Sequence, residues 1–415
     1  MDLPAEINIM VRVYRHVEPL LGAKALQIIR HLISYDEFPY HNTGNQLTRS
    51  AYSYLARLRL VNKAFSLLVS PFLFRTFVVC LTSKLDDLRK FQGFFKTACA
   101  RYIRHLIFQI SGTFQWDILN DGTKLGKIIS SAMTPLQDIK SMDWALPYHY
   151  LDDQSSPSEL NHVIYGVLNA APLRKLGSLR VDFPEYWEFD GHVPRAGVET
   201  DQVIQVLHRI RYLELRQMRA EIDLPPLWSP AADSAAWIFG CLRDSLYSST
   251  LTAAKDEVVL GRNTNAPTSH LETLILVALA IPSSTLVSLP APALQSLKRF
   301  EICHVHLTSG CWEDILQWLS CLPNLIFFRL VRCVYLGADL DIEHDYFTLP
   351  PERVPWQKFH EGEWEQRDRT RGVPMEIVPP YLVLLDRVDA NRTAAGMGPL
   401  LKEEIYESQK KTWKM

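Results

Sequence analysis

The sequence lacks the features that direct a chain to a membrane or to a polyanion. No run approaches the ~18 uncharged apolar residues that a membrane-spanning helix needs. Charges also interrupt the opening segment MDLPAEINIMVRVYRH, unlike a secretory leader. The formal net charge is only −2, from 44 basic and 46 acidic residues, so no long-range attraction to nucleic acid follows. We expect a cytoplasmic and/or nuclear protein that binds no nucleic acid and no membrane.

Cysteine is scarce and unpatterned. The chain has seven cysteines, an odd number without the spacing of a disulfide framework, which indicates reduced, buried thiols. The densest group of metal-ligating residue types is CHVH (303–306), with Cys311 nearby. On a strand, His304 and His306 would share one face and Cys303 would lie on the other, so the group would not converge on a metal. We expect no metal site.

Motifs for catalysis or cofactor binding are missing as well. GTKLGK (122–127) is similar to a phosphate-binding loop, but it is one residue short between its glycines, and Ile128 stands where a Mg²⁺-binding hydroxyl belongs. Neither a Gly-x-Ser-x-Gly elbow nor a His-Glu-x-x-His helix occurs. We expect a protein that is not an enzyme and that needs no cofactor.

The N-terminal region contains short amphipathic segments instead. Pro4 suits the first position of a helix, and apolar residues recur from Ile7 onward at three- and four-residue steps. Ser70 and Pro71 are typical of a helix cap and first turn, so a further helix is predicted to begin there, before the β-like FVVCL (77–81). Another apolar stripe, spaced 3, 4 and 3 residues apart, predicts one continuous helix face formed by Leu58, Val61, Phe65 and Leu68.

Three such helices cannot bury all of their apolar surface in one small core. The remaining surface either packs on the next domain or serves as a docking face for another protein. The residues alone leave both alternatives open.

Three segments of this region resemble an F-box, most closely the F-boxes of fungal leucine-rich-repeat F-box proteins. They are LPAEI (3–7), LRLVNKAF (58–65) and SPFLFRTFVV (70–79). The resemblance implies that this unit docks onto the Skp adaptor, and through it onto cullin, in an SCF ubiquitin ligase. The adaptor contacts that it implies are Leu3, Pro4, Ile7, Leu58, Leu60, Val61, Lys63, Phe65 and Leu73.

The separation of the first two segments is longer than in the family pattern, because Leu58 follows Leu3 by 55 positions. The surplus, residues 21–54, is predicted to hold a helix (23–35) and a polar loop (36–50). Long loops cost little free energy. The insertion therefore either protrudes from the unit or covers its docking face.

A degenerate repeat follows from about residue 100. Seven segments share the pattern apolar, two spacers, apolar, one spacer, apolar, with start-to-start distances of 36, 37, 34, 61, 26 and 28 residues. Such spacing is typical of leucine-rich repeats, each a short strand with a returning helix or loop. Returning helices are predicted at 159–171, 199–209 and 310–322, and the 61-residue gap is predicted to be one enlarged repeat with a helix at 233–249. The seven strands are predicted in the segments starting at residues 103, 139, 176, 210, 271, 297 and 325.

Between the inward-facing apolar residues, the alternate side chains should line the concave face of the sheet. Concave faces of repeat arrays are extended binding surfaces, and a mixed-charge set favours a protein target. Each of these residues has the alternative of an ordinary solvated side chain. The candidate target-binding residues are His105, Gln109, Asp143, Arg180, Asp182, Glu214, Arg216, Glu301 and Arg329.

The sequence thus predicts an α/β protein in three parts: an N-terminal three-helix F-box-like unit (1–80), an irregular leucine-rich-repeat solenoid (100–337) and a polar, partly ordered extension (338–415) with a last helix at 379–392. The resemblance implies a substrate-recognition subunit of an SCF-type E3 ubiquitin ligase, with the Skp adaptor, cullin and a protein target as partners. The alternative is a leucine-rich-repeat interaction scaffold that recruits no ligase.

Overall fold

An open parallel sheet of eight strands organises the protein, a mixed α/β structure. The computed structural model describes residues 35–36, 46–47, 49–61, 63–81, 85–110, 122–136, 138–145, 158–170, 173–183, 200–217, 238–239, 242, 270–289, 294–331, 333–335 and 378–400. The strands lie side by side in the order in which the chain forms them. They are β3 (Thr76–Leu81), β4 (His105–Ile110), β5 (Ser141–Ala145), β6 (Ser178–Phe183), β7 (Tyr212–Gln217), β8 (Thr273–Val277), β10 (Arg299–Cys303) and β12 (Phe327–Val331).

All seven strands predicted in the repeat segments are confirmed, each beginning two residues after its segment starts. The eighth strand, β3, covers the β-like FVVCL. Strands β7 and β8 are direct neighbours, with Tyr212 beside Thr273. The 61-residue gap therefore spans a single step of the sheet. Of its predicted helix 233–249, residues 238–239 and 242 are helical and the others lie outside the described residues.

Helices return the chain between strands. They are α3 (Leu85–Phe95), α4 (Gly122–Met133), α5 (Ser158–Ala170), α6 (Thr200–Arg209), α7 (Ser283–Val287), α8 (Trp312–Ser320) and α9 (Val378–Ala394), with a 3-10 turn at Ala100–Tyr102. Neighbouring helices pack on one another in chain order, α3 on α4, α4 on α5, α5 on α6, α7 on α8 and α8 on α9. The predicted helices 159–171, 199–209 and 310–322 are confirmed to within two residues at each end.

The main core lies between the helices and one face of the sheet. The apolar residues at alternate positions of each strand are almost fully buried, because successive side chains of a strand point to opposite faces. Burying each such side chain stabilises the fold by about 1.5–3 kcal/mol. Examples in three successive strands are Phe108, Trp144 and Val181, and the first two stack with ring centroids 4.2 Å apart.

A second, smaller parallel sheet lies beside the last strands. It consists of β9 (Ala280–Ile281), β11 (His306–Leu307) and β13 (Val334–Tyr335). The chain turns into it through residues in the left-handed region, Ala278 (φ +57°) and His304 (φ +55°). The expectation that residues 303–306 form one continuous strand is therefore wrong, because β10 ends at Cys303 and the chain turns at His304.

The N-terminal region differs most from the prediction. Two helices, α1 (Arg49–Arg59) and α2 (Lys63–Leu73), form a helical hairpin, and a short antiparallel pair, β1 (Tyr35–Asp36) and β2 (Gln46–Leu47), precedes them. The predicted polar loop 36–50 thus contains strand residues and the start of α1. The predicted helix 23–35 lies outside the described residues, except that Tyr35 is in a strand.

Two details of the predicted N-terminal helices are wrong. The apolar stripe from Leu58 to Leu68 does not form one helix, because the chain turns between α1 and α2. Nor does a helix begin at Pro71, which lies inside α2. Helix α2 continues past the proline because residues four apart, Phe65, Val69 and Leu73, are all buried on one face.

Helix α9 confirms the predicted last helix and extends it at both ends. It packs beside α8, and its residues Tyr381, Leu384 and Val388 belong to the main core. The Tyr381 ring meets Phe328 of β12, edge to face, at 5.7 Å between centroids. Helix α9 therefore covers the end of the core at the last strand of the sheet.

Candidate functional site

The helical hairpin has a small core of its own. Leu55 and Leu58 of α1 pack against Phe65, Val69 and Leu73 of α2, and all five are buried. These positions recur at three- and four-residue steps within each helix, which turns them toward the partner helix. The hairpin is thus held together by apolar burial between its two helices.

The turn between α1 and α2 projects apolar side chains into solvent. The amide of Leu60 donates to the Arg57 carbonyl at 3.0 Å and that of Val61 to the Leu58 carbonyl at 3.1 Å, which closes the turn. The exposed fraction is 85% for Leu60 and 38% for Val61, and Leu67 on α2 is 53% exposed. Large exposed apolar side chains grouped in this way are typical of interaction surfaces.

The nine residues that the F-box resemblance implies as adaptor contacts fall into three groups. Leu60, Val61 and Lys63 are exposed on or beside the turn. Leu58, Phe65 and Leu73 are buried in the core of the helical hairpin. The remaining three, Leu3, Pro4 and Ile7, lie outside the described residues.

Aromatic and guanidinium contacts attach the helical hairpin to the sheet domain. The Arg59 guanidinium lies over the Phe74 ring at 4.9 Å, and its Nη2 donates to Cys99 Sγ at 3.6 Å. Phe74 in turn lies 6.0 Å from Phe94 of α3, which stacks on Phe77 of β3 at 4.4 Å. The helical hairpin therefore packs against the first strand and first return helix.

The second candidate surface is the polar face of the sheet. Strand register places the central residues of five strands in one row: Asp143, Arg180, Glu214, Ile275 and Glu301, and Arg329 follows on the last strand. Opposite charges on adjacent strands attract one another. The sequence-predicted residues are therefore brought together on one face.

Eight of the nine candidate target-binding residues are nevertheless buried, and Gln109 is the exposed one. The alternative of ordinary solvated side chains is therefore wrong for the eight. Burial of so many charged groups requires that they be paired. That they contact a target stays a prediction. The buried residues are His105, Asp143, Arg180, Asp182, Glu214, Arg216, Glu301 and Arg329.

Ion pairs satisfy most of these charges. Arg180 binds Asp182 through two parallel contacts, Nε to Oδ1 at 3.1 Å and Nη2 to Oδ2 at 3.2 Å. Arg216 Nε donates to Glu214 Oε1, and the Tyr212 hydroxyl donates to Glu214 Oε2 at 2.5 Å. Two-point binding of this kind fixes geometry as well as charge. The polar face is therefore a rigid network rather than a set of independent side chains.

The last two strands continue the network. Arg329 Nε lies 3.0 Å from Glu301 Oε2, and Arg329 Nη2 donates to Cys303 Sγ at 2.7 Å. Arg299 also pairs with Glu301. Burial raises the pKa of Cys303 to about 11, even though Arg329 acts in the opposite direction. Cys303 is therefore a protonated thiol at neutral pH, and a poor nucleophile.

Protonation equilibria follow from this pairing. Burial alone would raise the pKa of Glu214, but Arg216 and Arg180 outweigh it and hold the pKa below its usual value. Burial alone would lower the pKa of Arg180, but Asp182 and Glu214 raise it. Burial and the Glu214 carboxylate raise the pKa of Tyr212 well above its usual value. Glu214 and Arg180 consequently keep their charges, and Tyr212 keeps its phenol proton, through the physiological pH range.

His105 behaves differently, because it is held neutral. Arg75 Nε donates to His105 Nε2 at 3.2 Å, so this nitrogen accepts and cannot carry a proton. The Nδ1 atom lies 2.8 Å from Ser141 Oγ and donates to it in this tautomer. Burial, with a further contribution from Arg75, lowers the pKa of His105 to about 4.

Sequence reasoning missed Arg75, Ser141, Tyr212, Arg299 and Cys303 as members of the network. Ser141, Tyr212 and Arg299 each lie two residues before a predicted member of the same strand, and Cys303 lies two residues after one. The two-residue period of a strand therefore contained the signal for these four. Arg75 carried no comparable signal, since it joins the network only through His105.

Within the described residues, neither a metal-ligand cluster nor a phosphate-binding loop is formed. Among the described residues, no group of three or more His, Cys, Asp or Glu side chains could hold a metal ion. GTKLGK forms the beginning of α4 and not a loop. Within the parts of the chain that the structure describes, no helix is long and apolar enough to cross a membrane.

No protein-family model matches the chain, and no curated protein is significantly similar to it.

Proposed function

We propose that this protein is a substrate-recognition subunit of an SCF-type E3 ubiquitin ligase, built from an F-box-like unit and a leucine-rich-repeat solenoid. One observation carries the proposal: Leu60 and Val61, from the LRLV segment that resembles the docking helix of an F-box, are exposed at the tip of the helical hairpin. Apolar side chains in this position form a surface that an adaptor protein can bury on binding.

The sheet domain supports the repeat part of the proposal. Its strands run parallel in chain order, and its return helices pack in the same order, as in an array whose units contact only their neighbours. The helical hairpin at the first strand and α9 at the last strand cover the two ends of the apolar core. Such ends require capping in a repeat array.

In this function the protein performs no chemistry. It would hold a target close to the ubiquitin-loaded enzyme and thereby raise the effective concentration of the target's lysines. Of the nine candidate target residues, Gln109 is accessible for direct contact, while the buried network supplies a fixed support beneath the surface that a target would meet.

The alternative is an interaction scaffold that recruits no ligase. The observation that favours it is the burial of Leu58, Phe65 and Leu73 within the helical hairpin, together with the packing of that hairpin on α3 through Phe74 and Phe94. Helices that bury their apolar side chains against each other do not require an adaptor to cover those side chains.

The two functions differ in a direct binding experiment. The purified full chain is mixed with purified Skp adaptor and separated by size-exclusion chromatography. We expect co-elution as a one-to-one complex that then binds the cullin amino-terminal domain. Separate elution of two well-folded proteins at micromolar concentration would contradict the ligase function and favour the scaffold.

A further inference from the structure

The sheet brings basic residues together along the edge where its strands begin. The residue before each strand forms a backbone hydrogen bond with its counterpart on the neighbouring strand: the amide of Lys140 donates to the Arg104 carbonyl at 2.7 Å, Gly177 to Lys140 at 2.9 Å and Arg211 to Gly177 at 2.7 Å. These positions are therefore adjacent at steps of about 4.8 Å. Before β6 this position is occupied by Gly177, and the nearest cation is Lys175, two residues earlier in the chain.

We define the basic row as the cationic residues at this edge of strands β4 to β7: Arg101, Arg104, Lys140, Arg174, Lys175 and Arg211. Five of them are exposed, and Arg104 is 29% exposed in its side chain. Lys140, Arg174 and Arg211 form no side-chain hydrogen bond or ion pair within the described part of the chain. At the opposite edge, the last residue of each of these eight described strands is uncharged.

A single carboxylate interrupts the basic row. Asp138, which precedes β5, lies 3.3 Å from Arg104 Nη2 and 2.5 Å from Lys175 Nζ. It therefore bridges cations that precede β4 and β6, the two neighbours of β5. The hydrogen bond from Lys175 lowers the pKa of this carboxyl. Asp138 shows the geometry in which this edge holds a carboxylate, with cations of adjacent units on either side. Three cations remain without such a partner in the described structure.

From these observations we infer that the basic row binds an acidic, extended peptide segment of a partner protein. Three strand steps from Arg104 to Arg211 span about 14 Å, which about five extended residues cover. Lys140 and Arg211 lie two strand steps apart, about 10 Å. Carboxylates two to four residues apart on one side of such a peptide would reach them as Asp138 reaches Arg104. The inference stands apart from the ligase proposal, because no residue of the helical hairpin takes part.

The observations favour a peptide over a nucleic acid. The whole chain has a net charge of −2, so the attraction is local and short-ranged rather than the broad field that polyanions use. Tyr102 is an aromatic side chain beside the basic row, but the Arg101 guanidinium lies over its ring at 4.7 Å. One face of the ring is therefore covered by Arg101 and does not offer a stacking platform for bases.

The test measures binding of a fluorescein-labelled octa-glutamate peptide to the full chain by fluorescence anisotropy, at low and at physiological salt. Lys140→Glu and Arg211→Glu reverse unpaired charges within the basic row. Lys298→Glu reverses one charge at the same edge outside the row, where Lys298 already lies 3.5 Å from Glu272. A thymidine oligonucleotide of equal charge is measured alongside, and the melting temperature of each variant is recorded.

We expect the peptide to bind at low salt and to bind more weakly at physiological salt. Each variant within the row should weaken binding about fivefold, and Lys298→Glu should change it less than twofold. Absence of binding at low salt, or an equal loss in Lys298→Glu, would overturn the inference. Tighter binding of the oligonucleotide would overturn the assignment to a peptide. Lowered melting temperatures with unchanged peptide affinity would give the row a structural role at the helix ends.

Discussion

The neutral state of buried His105 makes the stability of the fold depend on pH in a defined window. The pKa of His105 is about 4 in the folded protein, against 6.5 for an unperturbed histidine. Between these values the unfolded chain binds a proton that the folded chain does not, so stability falls as pH falls. The contribution is fully present above pH 6.5 and is lost as the pH drops from about 6.5 to about 4.

The size of the effect follows from the pKa of His105, about 4 in the folded protein against 6.5 for an unperturbed histidine. This difference corresponds to about 3 kcal/mol of unfolding free energy. The perturbation is His105→Gln, which removes the titration and retains groups that can bond to Arg75 and Ser141. Between pH 7 and pH 4 the wild type should lose about 3 kcal/mol more than the variant. Every other titrating group is common to both proteins and cancels in the difference.

Urea unfolding followed by tryptophan fluorescence, at steps from pH 7 to pH 4, measures this difference. A constant offset between the two proteins is expected and carries no information; only its change with pH does. His270 has an exposed side chain, so His270→Gln serves as the control and should follow the wild-type curve. Parallel curves for wild type and His105→Gln would refute the reasoning, because they would show that folding does not lower the pKa of His105.

Two further predictions concern the polar face and the small sheet. Arg216→Met should lower the free energy of unfolding by about 3–5 kcal/mol, because it leaves Glu214 buried beside one cation fewer. The control Arg211→Met, at an exposed position, should change it by less than about 0.5 kcal/mol. Equal losses of the two variants in urea titrations would contradict the buried ion pair. Gly310 (φ +81°) and Gly396 (φ +74°) both adopt left-handed backbone, but a Cβ on Gly310 would lie 1.8 Å from a serine oxygen while nothing lies within 4 Å of one on Gly396. Alanine at Gly310 should therefore lower the melting temperature clearly more than alanine at Gly396, and equal shifts would contradict the close packing.

The repeat strands were predictable because their signal is local. In segments such as LGSLRV, apolar residues alternate with polar ones over one strand length, so the sequence alone places Leu179 in the core and Arg180 on the other face. The burial of Arg180 was not predictable, because it depends on pairing with residues of the same face and of strands 30 or more positions away. Glu214, for example, is adjacent to Arg180 only through the register of β6 and β7.

The N-terminal helices were predicted less well, because local signals and packing disagree there. Ser70 and Pro71 are typical of a helix start, yet the buried contacts of α2 with α1 continue the helix through them. The Ser70 hydroxyl donates to the Ser66 carbonyl at 2.5 Å, so this serine bonds back along the helix instead of capping a new one. The basic row escaped prediction for the same reason as the ion pairs: Arg104, Lys140 and Arg211 become neighbours only when the sheet forms.

The central claim is the proposal that the tip of the helical hairpin docks the Skp adaptor. Its most direct test is to measure the affinity of a Leu60→Ser/Val61→Ser variant for purified adaptor by isothermal titration calorimetry. Burial of these two side chains in a complex contributes about 3 kcal/mol, so the variant should bind about 100-fold more weakly than wild type with an unchanged melting temperature. The matched control is Val383→Ser, which alters a side chain 60% exposed on α9 and should leave the affinity unchanged. Equal affinity of wild type and the double variant, or loss of binding in the control as well, would contradict the claim.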